Sequence, residues 1–351
     1  MLPVQDQSEE VTVKHGKFRV SRRYDPSVRI PDVILKCVGF IGEIVYKDGV
    51  KQYGDLHATG FFVSVPSTSK HVIGCYSYFV TAKHVANDLK DRDIYFLVNK
   101  KGGGLLHLDP LTPWILHPTD ETADIAIVSA QIDPRADSVA IAIEDFISNK
   151  DFESNAVGVG DEVFATGLFT EAPGTSRNLP IVRHGNLAMI PDEQIQTELG
   201  YADVYLVEAR SIGGLSGSPV WVRPSLVVPM QRPNGEWLPT AIVGPGRFLG
   251  LSHGHWDVRE CDINKPSITH DRKRGVNYGV AIVVPASKIE ETINQPALVD
   301  IRNEMDEAMA KKSVPGMDSA KPRTGEREKV FTKADFEAAL KKTARKIPSS
   351  R

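Results

Sequence analysis

Up to Ser287 the chain carries no long helical periodicity, only short β-branched and aromatic runs cut apart by Gly, Pro, Asn and Asp clusters. Strands recurring without intervening helices argue against a doubly wound parallel sheet and for antiparallel barrels or a sandwich. The runs predict strands near residues 34–46, 58–65, 72–81, 94–98, 104–108 and 124–130, then near 162–168, 181–189, 203–209, 218–222, 240–251 and 278–284. The two sets are separated by the mostly polar stretch from Glu144 to Ala156. With 28 Gly and 23 Pro in 351 residues, the chain has the turn-forming residues that so many short strands need. The segment from Val222 to Gly246 is long for a hairpin loop, and its Arg232-Pro-Asn-Gly235 reads as the tip of an extra excursion. Ser287-Lys-Ile-Glu290 has the form of a capping box opening a short helix through about Gln295.

Composition removes several classes of function. Lys and Arg number 42 against 45 Asp and Glu, a net charge of −3, so there is no bulk electrostatic case for nucleic acid. No apolar run approaches the roughly 18 residues of a membrane span, Val280 to Val284 being typical of the longest. The start, MLPVQDQSEE, lacks both the basic and the apolar region of a secretory leader. Cys37, Cys75 and Cys261 are too far apart for a CxxC site or a disulfide framework. The expectation is a cytoplasmic protein.

Charge and composition also divide the chain. Residues 1–31 read as an N-terminal extension, 32–297 as the body, 298–330 as a linker and 331–351 as a separate amphipathic helix. Residues 301–351 hold 13 Lys and Arg against 8 Asp and Glu, a net +5, which leaves −8 on the residues before them. Ser313 to Gly325 has linker composition, and Thr332-Lys-Ala-Asp335 then resembles a capping box with Phe331 and Phe336 placed as a hydrophobic staple. Phe336, Leu340, Ala344 and Ile347 share one helical face. A helix this short is marginal alone in water, so it is expected to dock on its own body, a sister chain or a separate protein partner. Its basic side (Lys341, Lys342, Arg345, Lys346) reads as a solvated face.

Three segments carry chemistry. Tyr78-Phe-Val-Thr-Ala-Lys-His84 is a strand-like run ending in a histidine; Thr122-Ala-Asp124-Ile-Ala-Ile-Val is an acid opening an apolar strand; Gly213-Gly-Leu-Ser216-Gly-Ser-Pro219-Val sets a serine among glycines before another strand. A serine nucleophile needs an exposed hydroxyl, a base beside it and donors aimed at the oxyanion. Glycines at 214 and 217 permit a tight turn that offers backbone N–H groups without side-chain obstruction. The order His, Asp, Ser, with separations of 40 and 92 residues, puts base and acid in the first strand set and the nucleophile in the second. A cleft between two barrels would then hold the base and acid on one wall and the serine on the other.

On these residues the chain resembles the chymotrypsin-fold, trypsin-like serine peptidases, closest in style to the bacterial glutamyl endopeptidase and HtrA-type branches. The likeness rests on T-A-x-H at Thr81–His84, D-I-A at Asp124–Ala126 and G-x-S-G-S-P-V at Gly214–Val220. It is extended by A-T-G-F-F-V at 58–63, G-D-E-V at 160–163 and Gly279-Val-Ala-Ile. The resemblance implies an all-β fold of two six-stranded antiparallel Greek-key barrels, about residues 32–143 and 157–297, with a short C-terminal helix. It implies Ser216 as nucleophile, His84 as general base, Asp124 as the group orienting His84, and the N–H groups of Gly214 and Ser216 as the oxyanion hole.

Ser252, His253 and Gly254 resemble the strand that pairs with the substrate backbone, Ser252 falling near Asp124, while Arg210 and Ser211 fall near the base of the primary pocket. An Arg210 buried there would favour acidic or polar side chains at the cleavage site; the alternative is that it faces solvent or pairs with an acid such as Glu208. Leu215 stands where zymogen-activated members carry an acid, and no Ile-Val-Gly-Gly start precedes the body, so activation by N-terminal cleavage is not expected. His253, His255 and Cys261 make a weak metal pattern, and no metal is expected. The resemblance thus implies a serine endopeptidase acting on polypeptides through an acyl-enzyme, with no cofactor required. The rival reading is a catalytically silent or partner-gated peptide-binding scaffold on the same fold.

Overall fold

The apolar runs are too short for packed helices and long enough to cross a sheet, and they fold accordingly. The computed structural model describes residues 32–69, 74–110, 113–154, 156–209, 214–224, 227–231, 237–241, 246–259 and 275–313. The extension before residue 32 and the amphipathic helix read at 331–351 lie outside the described residues.

After the short helix α1 (Asp32–Lys36), the first half contains β1 (Val38–Lys47), β2 (Val50–Pro66), β3 (Cys75–Thr81), α2 (Lys83–Asp88), β4 (Ile94–Asn99), β5 (Leu105–Leu108), β6 (Ile115–Leu116), β7 (Ala126–Ser129) and β8 (Ile141–Ala142). Its sheet runs in the order β5-β4-β1-β2-β3-β7-β6, with β8 parallel to β2. A helix, α3 (Asn149–Glu153), precedes the second half: β9 (Glu162–Gly167), β10 (Ile181–Met189), β11 (Ile195–Thr197), β12 (Gly200–Ala202), β13 (Tyr205–Glu208), β14 (Pro219–Arg223), β15 (Val227–Gln231), β16 (Trp237–Ala241), β17 (Arg247–Arg259) and β18 (Gly275–Pro285). Six of these close a barrel in the order β10-β13-β18-β17-β14-β9. The helices α4 (Ala286–Ile293) and α5 (Pro296–Ser313) follow. Among the described residues no helix is long and apolar enough to cross a membrane.

One closed barrel is seen, in the second half; among the described residues the first half pairs as an eight-stranded sheet whose end strands β5 and β6 do not pair with each other, so the second of the two expected barrels is not shown. Closure needs its two end strands to pair. They are only four and two residues long, and between them stand Pro110 and Pro113, which have no N–H to offer a ladder. The two halves meet through aromatic packing: Phe61 of β2 and Phe248 of β17, both fully buried, have ring centroids 5.3 Å apart.

Other boundaries moved for local reasons. β2 begins at Val50 because Asp48 (φ 51°) and Gly49 (φ 76°) form a two-residue turn of left-handed residues that folds β1 directly onto it. The excursion after Val222 contains a hairpin, β15 against β16, whose tip lies outside the described residues. The capping box at Ser287 does not form: α4 starts at Ala286 behind Pro285, with no side-chain cap. The first part of the segment read as a linker, up to Ser313, is the helix α5. Its apolar contacts are few, Leu298, Ile301 and Met305, so its periodicity is faint. Polar contacts hold it as well: Tyr76 Oη and Ser67 Oγ donate to Asp306 Oδ1 at 2.5 and 2.8 Å, and Arg302 Nη1 donates to Tyr78 Oη at 2.8 Å.

Burial separates the two described cysteines. Cys37 is fully buried, which pushes its thiol far up, while Cys75 at the start of β3 is exposed. Iodoacetamide at pH 8 is expected to alkylate Cys75 and spare Cys37 in the folded protein, and to modify both in urea, as read by peptide mass spectrometry. Equal labelling of Cys37 in the native state would contradict this packing.

Candidate active site

His84 is placed by the end of β3. The strand stops at Thr81, Ala82 remains extended, and the chain turns into α2 with His84 in its first turn. The first N–H groups of a helix lack intrahelical partners, and no side chain caps α2 from Ala82. Asp124 fills that gap: the His84 backbone N–H donates to its Oδ1 at 2.8 Å, while its Oδ2 lies 2.7 Å from His84 Nδ1. One carboxylate therefore fixes both the backbone and the ring of the histidine.

Asp124, 1% exposed, stands two residues before β7, on a loop with its own clamp. Asp120 Oδ1 accepts from Thr122 N at 2.9 Å and from Ala123 N at 3.1 Å, and Lys288 of α4 pairs with Asp120 Oδ2 at 2.9 Å. Burial alone would raise the Asp120 carboxyl. The hydrogen bonds from Lys288 and Thr122 outweigh it and hold the group well below the usual carboxylate range.

A second imidazole reaches the same carboxylate. His253 Nδ1 lies 2.5 Å from Asp124 Oδ2, and the His253 and His84 rings meet edge to face with centroids 5.2 Å apart. The cause is a bulge: Ser252 pairs with Val283 and Gly254 with Ile282, so His253 is the extra residue on β17 and its side chain is re-aimed. Burial pushes the Asp124 carboxyl up, but the hydrogen bonds and charges of His253 and His84 win and hold it well below the usual range. His84 is pulled down by burial and up, by more, through its hydrogen bond and attraction to Asp124; the net shift is upward.

His84, Asp124 and His253 offer three donor atoms of metal-ligand type within 4.8 Å of one another. Their spacing is that of hydrogen bonds: 2.5 and 2.7 Å from nitrogen to oxygen, against about 3.3 Å between neighbouring ligands of a tetrahedral ion with bonds near 2.0 Å. The side chain of His255 and all of Cys261 lie outside the described residues.

Ser216 occupies the turn before β14. Gly214 and Gly217 have φ of 91° and 80°, and a Cβ at 217 would stand 2.2 Å from the carbonyl oxygen of Thr59. That close approach is part of a clamp that sequence reading missed. Thr59, fully buried on β2, donates Oγ1 to the Gly214 carbonyl at 2.8 Å and accepts there from Leu168 N at 2.8 Å. Its own N–H donates to the Ser216 carbonyl at 3.1 Å, and Thr81 Oγ1 donates to its carbonyl at 2.7 Å. The only sequence sign was a threonine inside the apolar run A-T-G-F-F-V.

The Ser216 hydroxyl donates to the His253 carbonyl oxygen at 3.4 Å, a long bond, and makes none with His84. No acceptor among the described residues takes the N–H of Gly214 or Ser216. Ser252 was expected beside Asp124. Its hydroxyl makes no hydrogen bond there, because the bulge gives that position to His253. Its main chain is spent on the serine turn, with Gly217 N donating to Ser252 O at 2.9 Å and Ser252 N donating to Ser218 O at 2.8 Å. Arg210 and Ser211 lie outside the described residues.

No protein-family model matches the sequence, and no curated protein matches it. Among solved structures, the chain is similar to the protease domain of MamO from Magnetospirillum magneticum in its apo form, at 16% identity and a TM-score of 0.36 over 62% of this chain and 93% of that one. It is similar also to the HtrA-type protease AlgW with a decapeptide, at 13% identity and a TM-score of 0.39 over 80% of this chain and 66% of that one. A third is the Rv3671c protease in an inactive form, at 14% identity and a TM-score of 0.35 over 75% of this chain and 89% of that one. Identity this low leaves the chemistry to the site itself.

The clamp predicts a stability effect. Thr59→Val keeps the shape but leaves the Gly214 carbonyl and the Leu168 N–H without their partner, at a cost of about 1–3 kcal/mol, whereas Thr59→Ser keeps the hydroxyl. Urea unfolding is expected to rank wild type and Thr59→Ser above Thr59→Val. Equal midpoints for all three would show that the clamp contributes nothing.

Proposed function

We propose that the protein is a serine endopeptidase that hydrolyses polypeptides through an acyl-enzyme. The observation that carries the reading is the two-point grip of buried Asp124 on His84, which leaves the ring's Nε2 as the basic edge. The serine turn is tied to the same sheet through Thr59.

In this reading Ser216 Oγ swings about χ1 from the His253 carbonyl to His84 and attacks the scissile carbonyl. Its proton passes to His84 Nε2. The N–H groups of Gly214 and Ser216 take the oxyanion, and His84 returns the proton to the leaving amine. A water activated by the same imidazole then releases the acyl group. Asp124 stays ionised throughout, stabilising the imidazolium and fixing the tautomer.

The hydroxyl's contact with the His253 carbonyl favours a second reading, a resting state that substrate or a partner must convert. Arg210 would direct cleavage to acidic or polar side chains.

Cleavage of an unstructured polypeptide such as β-casein tests the proposal, with fragments read by mass spectrometry. Wild type is expected to cut, and Ser216→Ala and His84→Ala to lose at least about a thousandfold in kcat. Only neutral His84 is a base, and its proton affinity is raised, so activity should fall as pH drops through a midpoint above the ordinary histidine value of roughly 6.5. Cutting that survives Ser216→Ala would end the proposal. In a peptide library, cleavage after Arg, Lys or large apolar residues would end the role given to Arg210.

A further inference from the structure

We infer that His253 is a positioning residue of this site, a second imidazole that shares Asp124 with His84 and sets how readily His84 takes a proton. The inference rests on the reading of His84 as general base. It is carried by the bulge of β17, which spends an unpaired residue to bring the His253 ring onto Asp124 Oδ2. That oxygen already faces His84 Nδ1, and the remaining oxygen takes the His84 backbone N–H.

An ionised carboxylate has no proton to give, so both imidazoles must present Nδ1–H to it. One oxygen then serves two donors and gives less to each. The carboxylate can compensate one imidazolium. A second would stand about one ring contact away, 5.2 Å between centroids, in a setting where the His253 side chain is 16% exposed and Asp124 is buried. The sharing therefore couples proton uptake by His84 to the ring beside it.

The other charge acting on His84 is Asp88 at the end of α2, which favours protonation. Opposite the bulge, β18 offers the apolar Ile282 and Val283, and among the described residues the Ser216 hydroxyl donates to the His253 carbonyl. The geometry gives His253 the opposite sense to Asp88, since it draws on the same Asp124 oxygen that faces His84. It acts as a neutral donor that weakens Asp124 and, once charged, by repulsion.

Imidazole titration by NMR tests this apart from catalysis. Full-length protein carrying Ser216→Ala and ¹⁵N-labelled histidine would be compared with the same protein carrying His253→Asn or His253→Phe. Both replacements remove the competing charge, and Asn keeps a donor. His253→Phe, which removes donor and charge, is expected to move the His84 midpoint upward by about one pH unit, and His253→Asn by less, and in the parent the His253 resonances should respond as His84 takes up its proton. An unchanged or lowered His84 midpoint in replacements that keep the parent's near-UV circular dichroism would overturn the inference. So would independent titration of the two rings in the parent, which needs no replacement to fold. The upward shift, together with a wild-type protein that leaves β-casein uncut, would uphold the sharing of Asp124 while removing the peptidase reading.

Discussion

The hydroxyl of Thr59 gives its proton to the carbonyl of Gly214 and takes one from the N–H of Leu168, with no water-exposed surface of its own. Everything that makes the site a site depends on this junction. β2 belongs to the sheet that carries His84, and Gly214 belongs to the turn that carries Ser216. Buried backbone groups are costly to leave unpaired, so the two halves are pinned in one register. The absence of a side chain at 217, where a Cβ would meet the Thr59 carbonyl at 2.2 Å, allows the approach. Phe61 against Phe248 supplies the apolar contact nearby.

A second constraint is electrostatic. A carboxylate as buried as Asp124 is tolerated only because hydrogen bonds surround it. Here these come from one backbone N–H and two imidazoles. The loop that presents it is itself held by Asp120 and, through Lys288, by α4, which packs behind the barrel. The acid is thus anchored from both halves of the molecule, and its charge persists to low pH.

Much of this was legible in the sequence, because strand periodicity and turn residues are local signals. The strand that leads to His84 and the strands that follow Asp124 and Ser216 fall where the runs around Phe79, Ile127 and Val220 predict them. What escaped depends on distant pairing. Closure of a sheet is decided at its end strands, and β5 and β6 are short and flanked by Pro110 and Pro113. The Asp48-Gly49 pair is a turn signal that strand periodicity by itself does not display. α5 hid because Arg302 and Asp306 hold it as much as its apolar face does. The role of His253 could not be read from spacing, since a bulge reverses the direction that alternation along a strand would assign.

The central claim is that Ser216 is a nucleophile served by His84 and by a formed oxyanion site. Its most direct measurement is the intact mass and peptide map of the folded protein after exposure to a fluorophosphonate. The account predicts one covalent adduct, on Ser216, that forms more slowly at low pH and is absent from His84→Ala. A folded protein that acquires no adduct, or acquires it on another residue, would contradict it.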